Sequence, residues 1–416
     1  MTEPIRFGTD GVRGPAGAFP LDADGSARIG RAVAAWQGPG HDVVVGRDTR
    51  DSGPAIVDAL ISGLVAGGAR VLDAGVLPTA AVSCAVAARA TTDPDAVGVM
   101  VTASHNPWQD NGVKVLDRGG GKLLDPGPLG RWLDSAPEPG GGSLAPLPAP
   151  LAPWRAALPD VDLTGLHVLL DCANGAAWDC APAALRDRGA RLTLRGCQPD
   201  GRNINAGVGS LHPPTDLGDA DLALCLDGDA DRVVIVDRRH GVLDGDDILW
   251  LLSQQVEGQV VGTVMSNGGL EAALRGRLVR TAVGDRFVAM GMAEHGARLG
   301  GEPSGHILLA DGPPTACGLT TALRVLQAAV DGSGRPVLPL PLSGWTRWPQ
   351  VRHNLRRDVR QRPLPPSIAA ADVARDDGCR VLVRASGTEP VVRVMVEGRD
   401  AARARRHCDR IVEELT

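Results

Sequence analysis

Three stretches of this chain repeat one alternation of apolar and polar positions, and each predicts a strand, a small-residue turn, a helix and a second strand. In the first, Asp42-Val-Val-Val-Gly46 runs into Arg47-Asp-Thr-Arg50. A helix follows from about Ser52, with Ile56, Leu60 and Leu64 at helical spacing, before the strand Arg70-Val-Leu72. In the second, His167-Val-Leu-Leu170 leads through Asp171-Cys-Ala-Asn-Gly175 to a helix over 181–188 and the strand Arg191-Leu-Thr-Leu194. In the third, Val260–Val264 precedes Ser266-Asn-Gly-Gly269, a helix over 271–275 and a strand over 279–283. Units of this kind imply parallel or mixed sheets covered by helices.

Two Pro/Gly-rich stretches interrupt the pattern. Residues 137–153 read as a linker or exposed loop, and residues 332–344 as a second one. Between them, 241–247 reads as a boundary ahead of the helix Ile248-Leu-Trp-Leu-Leu252. Beyond Trp345 the apolar positions fall into Arg380-Val-Leu-Val383 and Val391–Val396, followed by a final helix over 401–415. The expected fold class is therefore α/β, with three consecutive α/β domains and a smaller C-terminal α+β domain. Their expected boundaries are 1–153, 154–246, 247–343 and 344–416.

Composition narrows the partners. A net charge of −6 over 416 residues argues against nucleic acid or an anionic membrane as the main partner. An anionic ligand would then depend on local clusters of Arg. No apolar run is long enough to span a bilayer and the first seven residues lack a signal core, so a cytoplasmic protein is expected. The eight cysteines are scattered without a C-x-x-C pair and read as reduced core thiols. The chain has no Tyr, so no tyrosine serves as acid or base.

Chemistry concentrates in short loops after apolar runs. Thr102-Ala-Ser-His-Asn-Pro107 follows the buried strand 96–101, and it puts Ser104 where reactive groups gather in α/β folds, flanked by His105. Asp227-Gly-Asp-Ala-Asp-Arg232 lies between apolar strands at 222–226 and 233–236. Its three carboxylates repel one another unless a cation sits among them, and all-oxygen ligation points to Mg²⁺. A calcium EF-hand needs Gly at the sixth position and Glu at the twelfth, where this chain has Arg232 and Arg238.

Arg384-Ala-Ser-Gly-Thr-Glu-Pro390, with Arg393 beyond it, offers two guanidinium groups, the hydroxyls of Ser386 and Thr388, and the open backbone of Gly387, a set suited to holding a phosphate. Gly300–His306 carries Glu302, Ser304 and His306, a set suited to hydrogen-bonding sugar hydroxyls, and by itself it also reads as a Gly-rich turn with a structural His. Phe7–Gly14 offers Arg13, and reads equally as an anion-directed loop or an entry turn. Lys114, ten residues after Ser104, would carry a proton or stabilise charge at a phosphoryl donor.

Taken in order, residues 6–14, 102–107, 227–232, 301–306 and 384–390 make the chain resemble the α-D-phosphohexomutase superfamily from residue 6 to about 400. Residues 203–205, 209–213, 264–267, 283–286 and 386–398 resemble its phosphoglucosamine mutase branch. The resemblance implies mixed-sheet α/β domains around a central cleft, a Ser104 that is phosphorylated in the active enzyme, and Mg²⁺ on Ser104, Asp227, Asp229 and Asp231. It further implies catalytic roles for Lys114, His105, Arg232 and His306. Substrate contacts fall to Arg13, Arg286, Glu302, Ser304, Arg384, Ser386, Gly387, Thr388 and Arg393.

The reaction so implied interconverts glucosamine 6-phosphate and glucosamine 1-phosphate, primed by a sugar 1,6-bisphosphate, upstream of UDP-N-acetylglucosamine and cell-wall precursors. The enzyme would act as a monomer or homodimer. Pro303 stands where that branch usually has Gln and Phe287 where it has Tyr. The alternative is a mutase of glucose or mannose phosphates.

Overall fold

The computed structural model describes residues 4–8, 11–133, 140–332, 334–357, 363–385 and 391–416. These form four sheets of six, five, four and three strands. Contacts divide the chain into two compact units. One holds residues up to Met265 together with Val279–Leu342, and the other holds Ser266–Leu278 with Ser343–Thr416.

The first sheet runs in the order Val12–Pro15, Asp110–Leu116, Val97–Val101, Asp42–Arg47, Arg70–Val76, Ser143–Pro146. Its central strands Asp42–Arg47 and Val97–Val101 are parallel neighbours, and nearly every residue in them is buried. That is why the two strands read as continuous apolar runs. Val43, Val45, Val97, Val99 and Val101 share one core with Ile29 and Val33 of the helix Ala23–Gln37 and with Leu60 and Leu64 of the helix Gly53–Ala66. Val44 and Met100 alternate out of that core, and the helix Thr79–Arg89 packs against the same two strands. Each helix thus follows from its own apolar stripe, and each strand from the pleat.

One expectation is corrected here. The stretch 137–153 is not simply a linker, because Ser143–Pro146 extends the sheet as an edge strand parallel to Arg70–Val76. All four of its side chains are exposed, so no buried alternation marks it. Its attachment is through backbone: Gly142 N donates to Val65 O at 3.1 Å and Ser143 N to Ala69 O at 3.1 Å. With no buried face to specify its register, backbone pairing alone holds the strand at this edge.

The second sheet orders Gly241–Leu243, Val233–Asp237, Leu222–Leu226, His167–Asp171 and Arg191–Arg195. Residues 227–232 therefore close an antiparallel hairpin between two fully buried strands. The helix Gly245–Ser253 then starts on a capping box, with Asp244 and Asp247 satisfying each other's backbone N–H groups. In the third sheet, Leu278–Thr281, Val260–Thr263, Leu299–Gly301 and Ile307–Leu309 lie in that order, so residues 302–306 turn between its last two strands.

The remaining sheet belongs to the second unit: Gln350–Arg356, Val391–Glu397 and Arg380–Ala385, all antiparallel. The helix Ala401–Leu415 covers it with Ala404, Cys408, Ile411 and Leu415, an i, i+4, i+7, i+11 stripe. Among the described residues, no helix is long and apolar enough to cross a membrane.

Candidate active site

Asp48–Arg50 and Thr102–Ser104 leave the carboxyl ends of two adjacent parallel strands, and they interlock there. Arg50 is fully buried. Its Nε donates to Asp48 Oδ2 at 2.9 Å, and its two terminal nitrogens reach the carbonyls of Ser104 (3.0 Å), Asn106 (2.9 Å), Asp110 (3.0 Å) and Pro107. Asp48 in turn accepts from Thr102 Oγ1 at 2.7 Å, and that oxygen accepts from Ser104 N at 2.9 Å. Burial pushes the Asp48 carboxyl upward, while the charge of Arg50 and the Thr102 hydrogen bond oppose the shift.

The cradle holds Ser104 in a left-handed backbone conformation, φ 52°. A non-glycine residue resists that region unless its surroundings over-determine it. Here Asn205 Nδ2 adds a second grip on the Ser104 carbonyl at 2.9 Å.

Into this arrangement the hairpin 227–232 inserts its carboxylates. Ser104 Oγ donates to Asp227 Oδ2 at 2.6 Å. The approach is possible because residue 228 is glycine: a Cβ there would lie 2.4 Å from Ser104 O. Ligand oxygens of Asp227, Asp229 and Asp231 all lie within 4.8 Å of one another, and all three residues are buried. Burial, then the charges of Asp231 and Asp229, push the Asp227 carboxyl well up, against the pull of Arg232 and the Ser104 hydrogen bond.

A cation would relieve this repulsion. The donor set is all oxygen, as Mg²⁺ requires, and Asp229 Oδ1 is buried with no hydrogen-bond partner. The residues present fit the ion. The other oxygen of Asp229 is taken by Thr79 Oγ1 at 2.5 Å and Lys114 Nζ at 2.8 Å, and Lys114 also donates to Asp231 Oδ2 at 2.9 Å.

Three more of the expected residues line up around this core. Burial would lower the Arg232 pKa, but the charges of Asp227, Asp231 and Asp229 outweigh it and raise the value. Its Nε lies 3.8 Å from Asp231 Oδ1. His105 Nδ1 is 3.3 Å from Ser104 Oγ, and burial, with Arg232 and Arg13 nearby, pushes its pKa down to about 4. It is neutral near pH 7 in this form. Arg13 Nη1 donates to Ala103 O at 3.2 Å, beside the serine.

The loop 302–306 locks onto the same hairpin. Val233 N donates to Gly305 O at 3.2 Å, and a Cβ at Gly305 (φ 87°) would meet Val233 O at 2.0 Å. His306 Nε2 thereby comes 3.7 Å from Asp231 Oδ2. Glu302 Oε1 accepts from Gly284 N at 2.9 Å, and Ser304 Oγ is buried without a partner. Arg286 stacks its guanidinium 4.7 Å from the centroid of the Phe287 ring.

In the second unit, Arg384 and Arg393 stand directly opposite on antiparallel strands. Burial and then the Arg393 charge lower the Arg384 pKa. Two like charges directly opposite on adjacent strands repel each other. Ser386, Gly387 and Thr388 lie outside the described residues.

Several participants carry no clear mark in the sequence. Asp48 and Arg50 give a signal, two charges directly after a buried strand, but they read as an ordinary turn. Asn205 sits in a stretch notable only for its resemblance. Nothing local announces Thr79, which reaches Asp229.

Known proteins are similar to this chain over nearly all of its length. Models for the α/β/α domains I and III and the C-terminal domain of phosphoglucomutase/phosphomannomutase match residues 4–127, 244–340 and 347–414. A phosphoglucosamine mutase of Chelativorans is 39% identical over 98% of this chain and 97% of its own length. That of Syntrophotalea carbinolica is 40% identical over 95% of this chain and 94% of its own. Among solved structures, a phosphoglucomutase/phosphomannomutase family protein of Burkholderia thailandensis superposes with a TM-score of 0.78 at 28% identity, covering 98% of this chain and 96% of that one. Aspergillus fumigatus N-acetylphosphoglucosamine mutase, solved with GlcNAc-6P and magnesium, shares the fold at a TM-score of 0.68 and 17% identity, covering 99% of this chain and 96% of that one.

Proposed function

The chain belongs to the phosphoglucomutase/phosphomannomutase family, and we propose that it interconverts glucosamine 6-phosphate and glucosamine 1-phosphate with phosphorylated Ser104 as the group carrier. The observation that carries this reading is the hydroxyl of Ser104, held 2.6 Å from the edge of a buried carboxylate triad. The relatives named as phosphoglucosamine mutases, at 39% and 40% identity, support the amino sugar.

The reaction is two opposed phosphoryl transfers. A sugar hydroxyl attacks the phosphorus on Ser104; the new P–O bond forms as the P–Oγ bond breaks, leaving a sugar 1,6-bisphosphate. That intermediate turns over, and its other phosphate returns to Ser104. Lys114, whose Nζ donates to Asp229 and Asp231, gives a proton to the departing Oγ and takes up the one released by the attacking hydroxyl, with His306 as the second candidate for the same task. Arg232 and Arg13 offset charge beside the serine, and His105 orients its oxygen.

Asp227, Asp229, Asp231 and Ser104 would hold Mg²⁺, which when bound neutralises charge on the transferred phosphoryl group. Glu302, Ser304 and Arg286 read the sugar. Arg384, Ser386, Gly387, Thr388 and Arg393 grip the phosphate that is not reacting. A trace of sugar 1,6-bisphosphate primes the serine, and the cytoplasm is the proposed compartment.

The deciding experiment is a coupled assay for glucosamine 1-phosphate formed from glucosamine 6-phosphate, with Mg²⁺ and bisphosphate primer. Turnover is expected. Silence there, with activity on glucose or mannose phosphates in the same buffer, would move the substrate and leave the mechanism in place. In that assay excess EDTA should cut the rate by roughly a hundredfold or more, and Mg²⁺ should restore it; a rate indifferent to chelation would remove the metal from the reading.

A further inference from the structure

We propose that Asp285 reads the ammonium group at C2 of the sugar, and that Lys122 fills that place until substrate arrives. The inference rests on the glucosamine reading above and names what enforces it. It starts from the cavity beside the carboxylate hairpin, with Lys114, Asp231 and His306 as its polar wall and Leu116, Leu123 and Leu308 among its apolar lining. Asp285 and Lys122 line the same cavity and form an ion pair with each other, both side chains only 16% exposed.

Asp285 is well placed for a sugar contact. It opens the helix Asp285–His295, and its Oδ1 accepts from Arg286 N at 2.8 Å. Its Oδ2 lies 3.6 Å from His306 Nε2. The residue before it, Gly284, is the one whose N–H is held by Glu302. Residues 284 and 285 thus meet both ends of the loop 302–306, at Glu302 and at His306, and His306 in turn adjoins the carboxylate hairpin. His306 Nδ1 is buried in this wall with no hydrogen-bond partner, a polar atom left for a ligand to satisfy.

Charge supplies the selectivity. A carboxylate in largely apolar surroundings must keep a cation beside it. One ammonium can replace another without leaving that charge exposed to the cavity: the sugar's group takes the place, and the flexible stem of Lys122 carries its own head to water. A neutral hydroxyl at C2, as in glucose or mannose phosphates, cannot make the exchange and meets a site already filled. Attraction for the amine and exclusion of the hydroxyl then act together.

The test compares kcat/KM on glucosamine 6-phosphate and glucose 6-phosphate for the wild type, Asp285→Asn and Lys122→Met. Asp285→Asn should shrink the preference for the amino sugar by roughly tenfold to a hundredfold, the worth of a hydrogen bond to a charged group. Lys122→Met should lower KM for glucosamine 6-phosphate, because the competing ammonium is gone, and it serves as the check if Asp285→Asn folds poorly. Selectivity that survives both substitutions, in a wild type that does prefer the amino sugar, would overturn the inference alone. A wild type with no such preference would overturn both it and the substrate reading.

Discussion

Replacing Ser104 with Ala should cut mutase turnover by roughly a thousandfold or more, because the variant has no oxygen to carry the phosphoryl group. The fold should survive. Ala accepts the same backbone as poorly as Ser does, and the grips of Arg50 and Asn205 are on the carbonyl, which the substitution leaves in place. What disappears locally is the donor to Asp227, so that carboxyl, already pushed upward, loses one of the contacts that hold it down. Calorimetric titration should still detect sugar phosphate, with a melting temperature near that of the wild type. Near-normal turnover in the coupled assay would sink the phosphoserine route.

Arg50→Met should be the most damaging change that touches no reacting atom. It strips the carbonyls of Ser104, Asn106, Pro107 and Asp110 of a shared donor. It also leaves Asp48, fully buried, without its countercharge. Breaking a buried pair in this way costs about 3–5 kcal/mol, a fall in melting temperature on the order of 10 °C. Activity should fall as well, since the left-handed conformation of Ser104 depends on those bonds. The second variant that identifies the cause is Arg50→Met with Asp48→Asn: removing the stranded charge should recover part of the stability but little of the activity. A melting curve unchanged by Arg50→Met would show that the cradle does not hold the loop.

The parts of the site that the sequence displays are those whose chemistry is compressed into neighbouring residues. The carboxylates of Asp227, Asp229 and Asp231, or a serine closely following a buried strand, announce themselves because spacing alone brings the groups together. The cradle is different. Arg50 meets Ser104 across 54 residues, Asn205 meets it across 101, and Thr79 reaches Asp229 across 150. Neighbouring parallel strands create the first of these encounters and the meeting of two different sheets creates the other two, and no periodicity encodes which of many arginines will be buried among carbonyls. The fold divides along the same line. Val97–Val101 and Leu222–Leu226 are legible because burial on both faces imposes an apolar run, whereas Ser143–Pro146 contributes only backbone to its sheet and leaves no such trace.

The left-handed turn at residue 104 also restricts which alcohol can occupy it. Threonine offers the same hydroxyl chemistry, but its branched Cβ is poorly tolerated at a φ of 52°. The backbone therefore screens candidates before reactivity does. In this loop the shape of the main chain favours a primary alcohol, and the phosphoserine route proposed for Ser104 makes the same demand on separate grounds, those of chemistry.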